Sequence, residues 1–152
     1  METCRVRLAG ESDIEAINGL LYQVHKVHSE ARPDLFAAGA KKYNDGELRS
    51  ILSDSSRPVF VAERDGQVVG HVFCIDKPFA KGRTFYIDDL CVAETARHSR
   101  IGRTLYEYVL DYARKKQYYN VTLNVWADNT GAVKFYEKLG LSVQKIGMEQ
   151  IL

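Results

Sequence analysis

Apolar and polar residues alternate along Cys4–Leu8, the two-residue period of a strand. From Ile14 the period lengthens: Ile14, Ile17, Leu21 and Val24 share one helix face, and Ser12 with Glu15 has the form of a capping box. Pro33 interrupts this helix, residues 34–44 with Gly39 carry no period, and Gly46–Leu52 reads as a short second helix. Val59–Glu63 and Val68–Ile75 flank Asp65-Gly66, a hairpin signal, because those residues adopt the backbone angles of a tight turn. A loop is expected from Pro78 to Arg83, then a strand over Thr84–Val92. Ile101–Lys116 is a long amphipathic helix with Ile101, Leu105, Val109 and Tyr112 inward. Val121–Trp126 reads as a strand, Gly131–Leu139 as a helix, and the tail from Leu141 as one or two short strands. Strands before, between and after helices predict an α/β fold, a three-layer α-β-α sandwich around a central mixed sheet.

At 152 residues the chain is expected to form one domain over 1–152. Its 21 Lys and Arg balance 20 Asp and Glu, which argues against a nucleic-acid partner. No apolar run reaches the ~20 residues that span a bilayer, and Met1–Glu2 opens no signal peptide, so no membrane is expected and the cytoplasm is. Cys4, Cys74 and Cys91 lie far apart, which favours reduced core thiols over a disulfide framework or a zinc site. His25 and His28 share a helix face, yet no further spaced ligands accompany them, so no metal is expected.

Three segments carry the chemistry: TFYIDDLCV (84–92), ARHSRIGRTL (96–105) and DNTGAVKFYEKLGL (128–141). The first is a strand, the second a cationic turn opening a helix, the third an Asn-led helix carrying a Tyr. The unpaired N–H groups and positive end of a helix suit a pyrophosphate. Arg97, Arg100 and Arg103 add charge that opposes the helix dipole unless an anion sits there. Together the segments resemble the acetyl-CoA-binding core of the GNAT superfamily of N-acetyltransferases. The family's phosphate loop, often of the form R-G-x-G-I-G, is matched by Arg97, Ile101 and Gly102. His98 and Arg100 replace its earlier glycines, with Ser99 between them.

The resemblance implies that acetyl-CoA is the co-substrate and that Arg97, His98, Ser99, Arg100, Ile101, Gly102 and Arg103 hold its phosphates. It implies a bulged strand that splays from Val121–Trp126. Backbone groups of Leu90, Cys91 and Val92 would then hold the pantetheine arm, and an N–H near Leu90 would polarise the thioester. Asn129 and Ala132 in N-x-x-A-x-x-F-Y would contact that arm, and Tyr136 would be the acid for the leaving thiolate. A neutral amine is needed for attack, so a proton acceptor is expected. Strand alternation sends Asp88 and Asp89 to opposite faces; Asp88 is preferred, with Glu63 and His71 as outsiders on neighbouring strands. Cys91 has no adjacent His and reads as structural rather than as an acyl carrier. By resemblance, the end of the first helix walls the acceptor pocket, with His25, His28, Arg32, Asp34 and Tyr86 as candidates and Tyr22 and Trp126 nearby. The expected activity is direct acetyl transfer to a small-molecule or peptide amine through a ternary complex. The other reading is an acyl-CoA-binding regulatory module of the same fold, and the resemblance leaves room for a homodimer.

Overall fold

The computed structural model describes residues 4–39, 41–97 and 99–152. Strand β1 (Cys4–Leu8) leads through a short 3-10 turn (Glu11–Asp13) into α1 (Ile14–Ala31), and α2 is Asp45–Leu52. Strands β2 (Val59–Arg64), β3 (Gln67–Phe79) and β4 (Gly82–Val92) follow as consecutive hairpins. Then come α3 (Ile101–Lys115), β5 (Asn120–Leu123) and α4 (Thr130–Lys138). The sheet order is β1-β2-β3-β4-β5, antiparallel except for the parallel pair β4–β5, so the sheet is mixed.

Alternation along the strands sorts two cores onto opposite faces. On one face Ile17 and Leu21 of α1 and Leu48 and Ile51 of α2 bury against Val59, Val61 and Phe73. On the other, Ile101, Leu105 and Val109 of α3 cover Phe60, Val72, Cys74, Phe85 and Ile87. Helix α3 lies close because β3 carries Gly70. A Cβ there would sit 3.1 Å from Leu105 Cδ1 and 3.1 Å from the Cys91 carbonyl oxygen. The expected three layers are thus present.

Four local expectations are corrected. The start of α1 is organised by Asp13 rather than by Ser12 and Glu15. Asp13 Oδ2 accepts from the Gly10 N–H at 2.8 Å, and its carboxylate takes both terminal nitrogens of Arg7. Pro78–Arg83 is no loop: β3 and β4 stay paired to Phe79 and Gly82, and Ala80 takes a left-handed φ of 44° to close the turn. Strand β5 stops at Leu123 instead of Trp126, because β4 offers it partners only from Thr84 to Ile87. No strand forms among the residues after Leu141, whose apolar side chains at Val143, Ile146 and Met148 lie exposed with no neighbouring ladder to join.

Candidate active site

The useful consequence of this pairing is an open edge. Beyond Ile87 the strand β4 keeps β3 on one side and has no partner on the other, so Asp88–Val92 border a notch beside β5. This is the splay expected for a groove that takes an extended arm as an added strand.

A bulge shapes what faces that notch. The β3–β4 register steps from Phe73↔Asp89 to Cys74↔Ile87, leaving Asp88 unpaired. An extra residue breaks the alternation, and both carboxylates point to the α1–α2 face, which overturns the expectation of opposite faces. Their contacts fix this. Asp88 accepts from Tyr43, whose ring stacks on Phe73, and Asp89 accepts from His71, whose ring meets Phe73 edge-on.

The two acids are wired differently. Asp88 Oδ2 receives the Tyr43 hydroxyl at 2.5 Å and the Lys42 ammonium at 3.0 Å, and Arg57 in turn donates to Tyr43. Asp89 Oδ2 lies 2.6 Å from His71 Nε2; the histidine is fully buried, and its Nδ1 has no hydrogen-bond partner. Among the described residues that second nitrogen is unpaired, a desolvation cost to the buried imidazole. The charge of Asp89 also acts on Tyr136, Cys91 and His28. Burial first, then Asp89, pushes the Tyr136 phenol well above its ordinary value, so it keeps its proton at neutral pH.

Cys91 is fixed as a structural thiol. Burial, reinforced by Asp89, pushes it up to about 12, and its Sγ rests against the Leu20 carbonyl and Gln23 Nε2. Gln23 also donates to the Val92 carbonyl at 2.8 Å and accepts from the Glu94 N–H at 3.0 Å, clamping the end of β4 to α1. Sequence reasoning missed this residue; its signal was an amide set between Leu21 and Val24 in an otherwise apolar stripe. It also missed Lys42 and Tyr43, which sit in a stretch without periodicity.

At the start of α3 the N-cap residue Arg100 makes no side-chain cap, so among the described residues the first N–H groups remain available to an anion. Arg100 is the residue before the helix and adopts φ 66°, ψ 12°, a left-handed conformation in which the family usually places glycine. Arg103 pairs with Glu107 along the helix at 3.0 Å, and Ser99 donates to the Ala96 carbonyl. His98 lies outside the described residues. Gly102 serves packing: a Cβ there would lie 3.0 Å from Phe135 Cζ, so the glycine lets α4 close onto α3 beside Val92. Asn129 caps α4 by accepting from the Ala132 N–H at 3.2 Å, which leaves its amide NH₂ free to donate. The uncapped helix, the unpaired β4 edge and this amide are the donor set that a pyrophosphate and a pantetheine amide chain require.

The end of α1 and Phe36 meet Trp126 in the segment after β5. His25 Nε2 contacts the Ala37 carbonyl at 2.6 Å, and both His25 and His28 pack on Phe36. Burial lowers the affinity of His28 for a proton, partly offset by Asp89. Arg32 is held by Asp34 at 2.9 Å and by Glu149 of the tail at 2.6 Å. Tyr86 lies apart from this group, accepting from Asn124 and lying under the Lys77 ammonium. Tyr22 pairs with Lys41 on the surface instead of lining the cleft.

Comparison with known proteins agrees with this geometry. The family model described as "Acetyltransferase (GNAT) family" matches residues 21–141. Glucosamine 6-phosphate N-acetyltransferase of Arabidopsis thaliana is 30% identical over 108 residues, covering 68% of this chain and 70% of that protein. N-acetyltransferase 8B of Rattus norvegicus is 34% identical over 101 residues; these are 65% of this chain but only 45% of that longer protein. The crystal structure of a mutant BH1408 protein from Bacillus halodurans superimposes with a TM-score of 0.91 at 29% identity, covering 97% of this chain and 99% of that one. No helix among the described residues is long and apolar enough to cross a membrane. With its family-model match, its splayed sheet and its uncapped α3, this chain belongs to the acetyltransferase (GNAT) family.

Proposed function

We propose that the protein is an acetyl-CoA-dependent N-acetyltransferase that transfers directly to a primary amine held in a ternary complex. The observation that carries this reading is the edge of β4 left open beyond Ile87, which holds Asp89, beside a helix α4 that carries Tyr136 and packs its Phe135 on Gly102 at the start of α3. Acetyl-CoA supplies the activated thioester. The N-terminus of α3, with Arg97 and Arg100, faces its phosphates, and the edge Leu90–Val92 and the Asn129 amide take the arm. The amine nitrogen bonds the acetyl carbon as the C–S bond breaks. Asp89 accepts the nitrogen's proton, and the Tyr136 hydroxyl stands to donate to the departing sulfur. Asp88, preferred on sequence, is given instead the task of holding Lys42 and Tyr43 at the cleft wall. Glu63, bonded to Arg7 on the far side of β2, has no part in the step.

The amine is a small molecule or a peptide amine; glucosamine 6-phosphate, in the Arabidopsis relative's name, is one example of such an acceptor. Reduced thiols at Cys4, Cys74 and Cys91 suit the cytoplasm. A homodimer remains part of the proposal, motivated by exposed Val143, Ile146 and Met148 and tested by light scattering.

Release of free thiol from acetyl-CoA in the presence of amines, beside calorimetry of acetyl-CoA at low and high salt, tests the function. Expected are amine-dependent thiol release and affinity that falls as salt screens the arginines. Binding without turnover would favour the regulatory module that Arg100, in place of glycine, brings to mind. No binding would end both readings.

A further inference from the structure

Between the end of α1 and the segment after β5 lies a cleft of about 150 Å³, walled by Val27, His28, Phe36 and Trp126, with Asp128 and Asn129 at one side. Phe36 and Trp126 meet edge-to-face, their centroids 6.0 Å apart at 90°. The volume is close to the ~150 Å³ that accommodates one benzene ring in an apolar protein cavity. It is too small for an oligosaccharide-sized body.

The charge around the cleft is selective. Arg32 is the cation at its rim, lying 5.9 Å from the Trp126 ring centroid, and it is already engaged by Asp34 and Glu149. Asp128 in the lining and Asp34 and Glu149 on Arg32 set three carboxylates against the Arg32 guanidinium and the Lys42 ammonium that acts on His28, a balance that favours an ammonium over a phosphate. Asn129, proposed above to meet the coenzyme arm, is also part of this cleft's lining and so ties the cleft to the proposed reacting centre.

We infer that the acceptor is a primary amine on a short alkyl arm carrying one uncharged aromatic ring, with the ring held against Phe36 and Trp126. This rests on the transferase reading above and specifies its substrate class. The ring docks by edge-to-face contact. Asp89 first takes a proton from the ammonium, the neutral nitrogen then bonds the acetyl carbon as the C–S bond breaks, and the departing sulfur takes its proton from Tyr136.

The test uses phenethylamine, butylamine and glucosamine 6-phosphate as acceptors. Trp126 is the protein's single tryptophan, so its fluorescence also reports occupancy of the cleft directly. Phenethylamine is expected to give a saturable fluorescence change and a kcat/KM about tenfold above butylamine, with the phosphorylated amine poorest. Trp126→Ala should bring the ratio of phenethylamine to butylamine close to one, while Tyr119→Ala, an exposed ring at the opposite end of β5, should leave that ratio as it is. A fluorescence change without turnover of any amine would sink the transferase reading and leave the cleft assignment standing. The assignment itself is overturned if phenethylamine produces no saturable change or if butylamine or the phosphorylated amine is preferred. It is equally overturned if Trp126→Ala weakens acetyl-CoA binding and leaves the acceptor ratio intact.

Discussion

Asp88 and Asp89 are neighbours on one strand and face the same side of the sheet, yet their surroundings divide them. Asp88 is saturated by a phenol and an ammonium, both from the adjacent residues Lys42 and Tyr43. Asp89 has one neutral-capable partner, His71, and its charge acts on the Tyr136 phenol. A carboxylate held by strong donors is a structural anchor, since taking a proton would forfeit charge-assisted bonds. One with a single partner, bordering an open notch, is free to exchange a proton. The single inserted residue of a bulge supplies both, side by side.

The largest effect expected follows from removing acid and base together. Asp89→Asn with Tyr136→Phe should lower kcat by about 10³-fold or more, with acetyl-CoA affinity by calorimetry close to wild type. A double variant that keeps a tenth of the activity would place the proton chemistry elsewhere. Because the Tyr136 phenol is raised above its ordinary value, the pH–rate profile near neutrality should keep its wild-type shape in Tyr136→Phe.

A smaller effect is expected at His71, a positioning residue. His71→Leu should cost about tenfold in kcat, the worth of a hydrogen bond to a charged group, with little change in acceptor KM. His71→Gln, which can still donate to Asp89, should recover most of that loss. Equal losses in the two variants, matched by equal drops in melting temperature, would make His71 a packing residue only.

Asp13 sharpens the contrast from outside the site. Arg7, then the Gly10 N–H, hold its carboxyl below its ordinary value, and its side chain is only 6% exposed. Its folded-state pKa is thus lower than its unfolded value of about 3.9. The stabilisation is therefore complete above that unfolded value and is lost as pH falls through it toward the folded one. Asp13→Asn should cost about 2 kcal/mol in urea unfolding at pH 7, a difference that shrinks in acid, with kcat intact. An equal cost at pH 7 and pH 3 would contradict the ion pair.

Elements with strong periods were legible in the sequence. The stripes of α1 and α3 and the Asp65-Gly66 hairpin form where the pattern places them, because burial of one face dictates them. The motif also placed its helix: Asn129 caps α4, and Phe135, next to Tyr136, packs on Gly102 at the start of α3. What escaped depends on partners far apart in the chain. A bulge is a mismatch between two strands and leaves no trace in one, so Asp88 and Asp89 could be separated only once Phe73 lay opposite. Strand content after Leu141 depends equally on a neighbour that the local alternation cannot supply.

The division between the two acids is tested most directly by comparing Asp89→Asn and Asp88→Asn under saturating acetyl-CoA and amine. The expected result is a fall in kcat of about 10²-fold or more for Asp89→Asn. Asp88→Asn should lose less than about tenfold in kcat, with its main effect a raised acceptor KM as Lys42 and Tyr43 loosen. Both should bind acetyl-CoA as the wild type does. A fall for Asp88→Asn equal to or greater than that for Asp89→Asn would contradict the assignment of the proton acceptor.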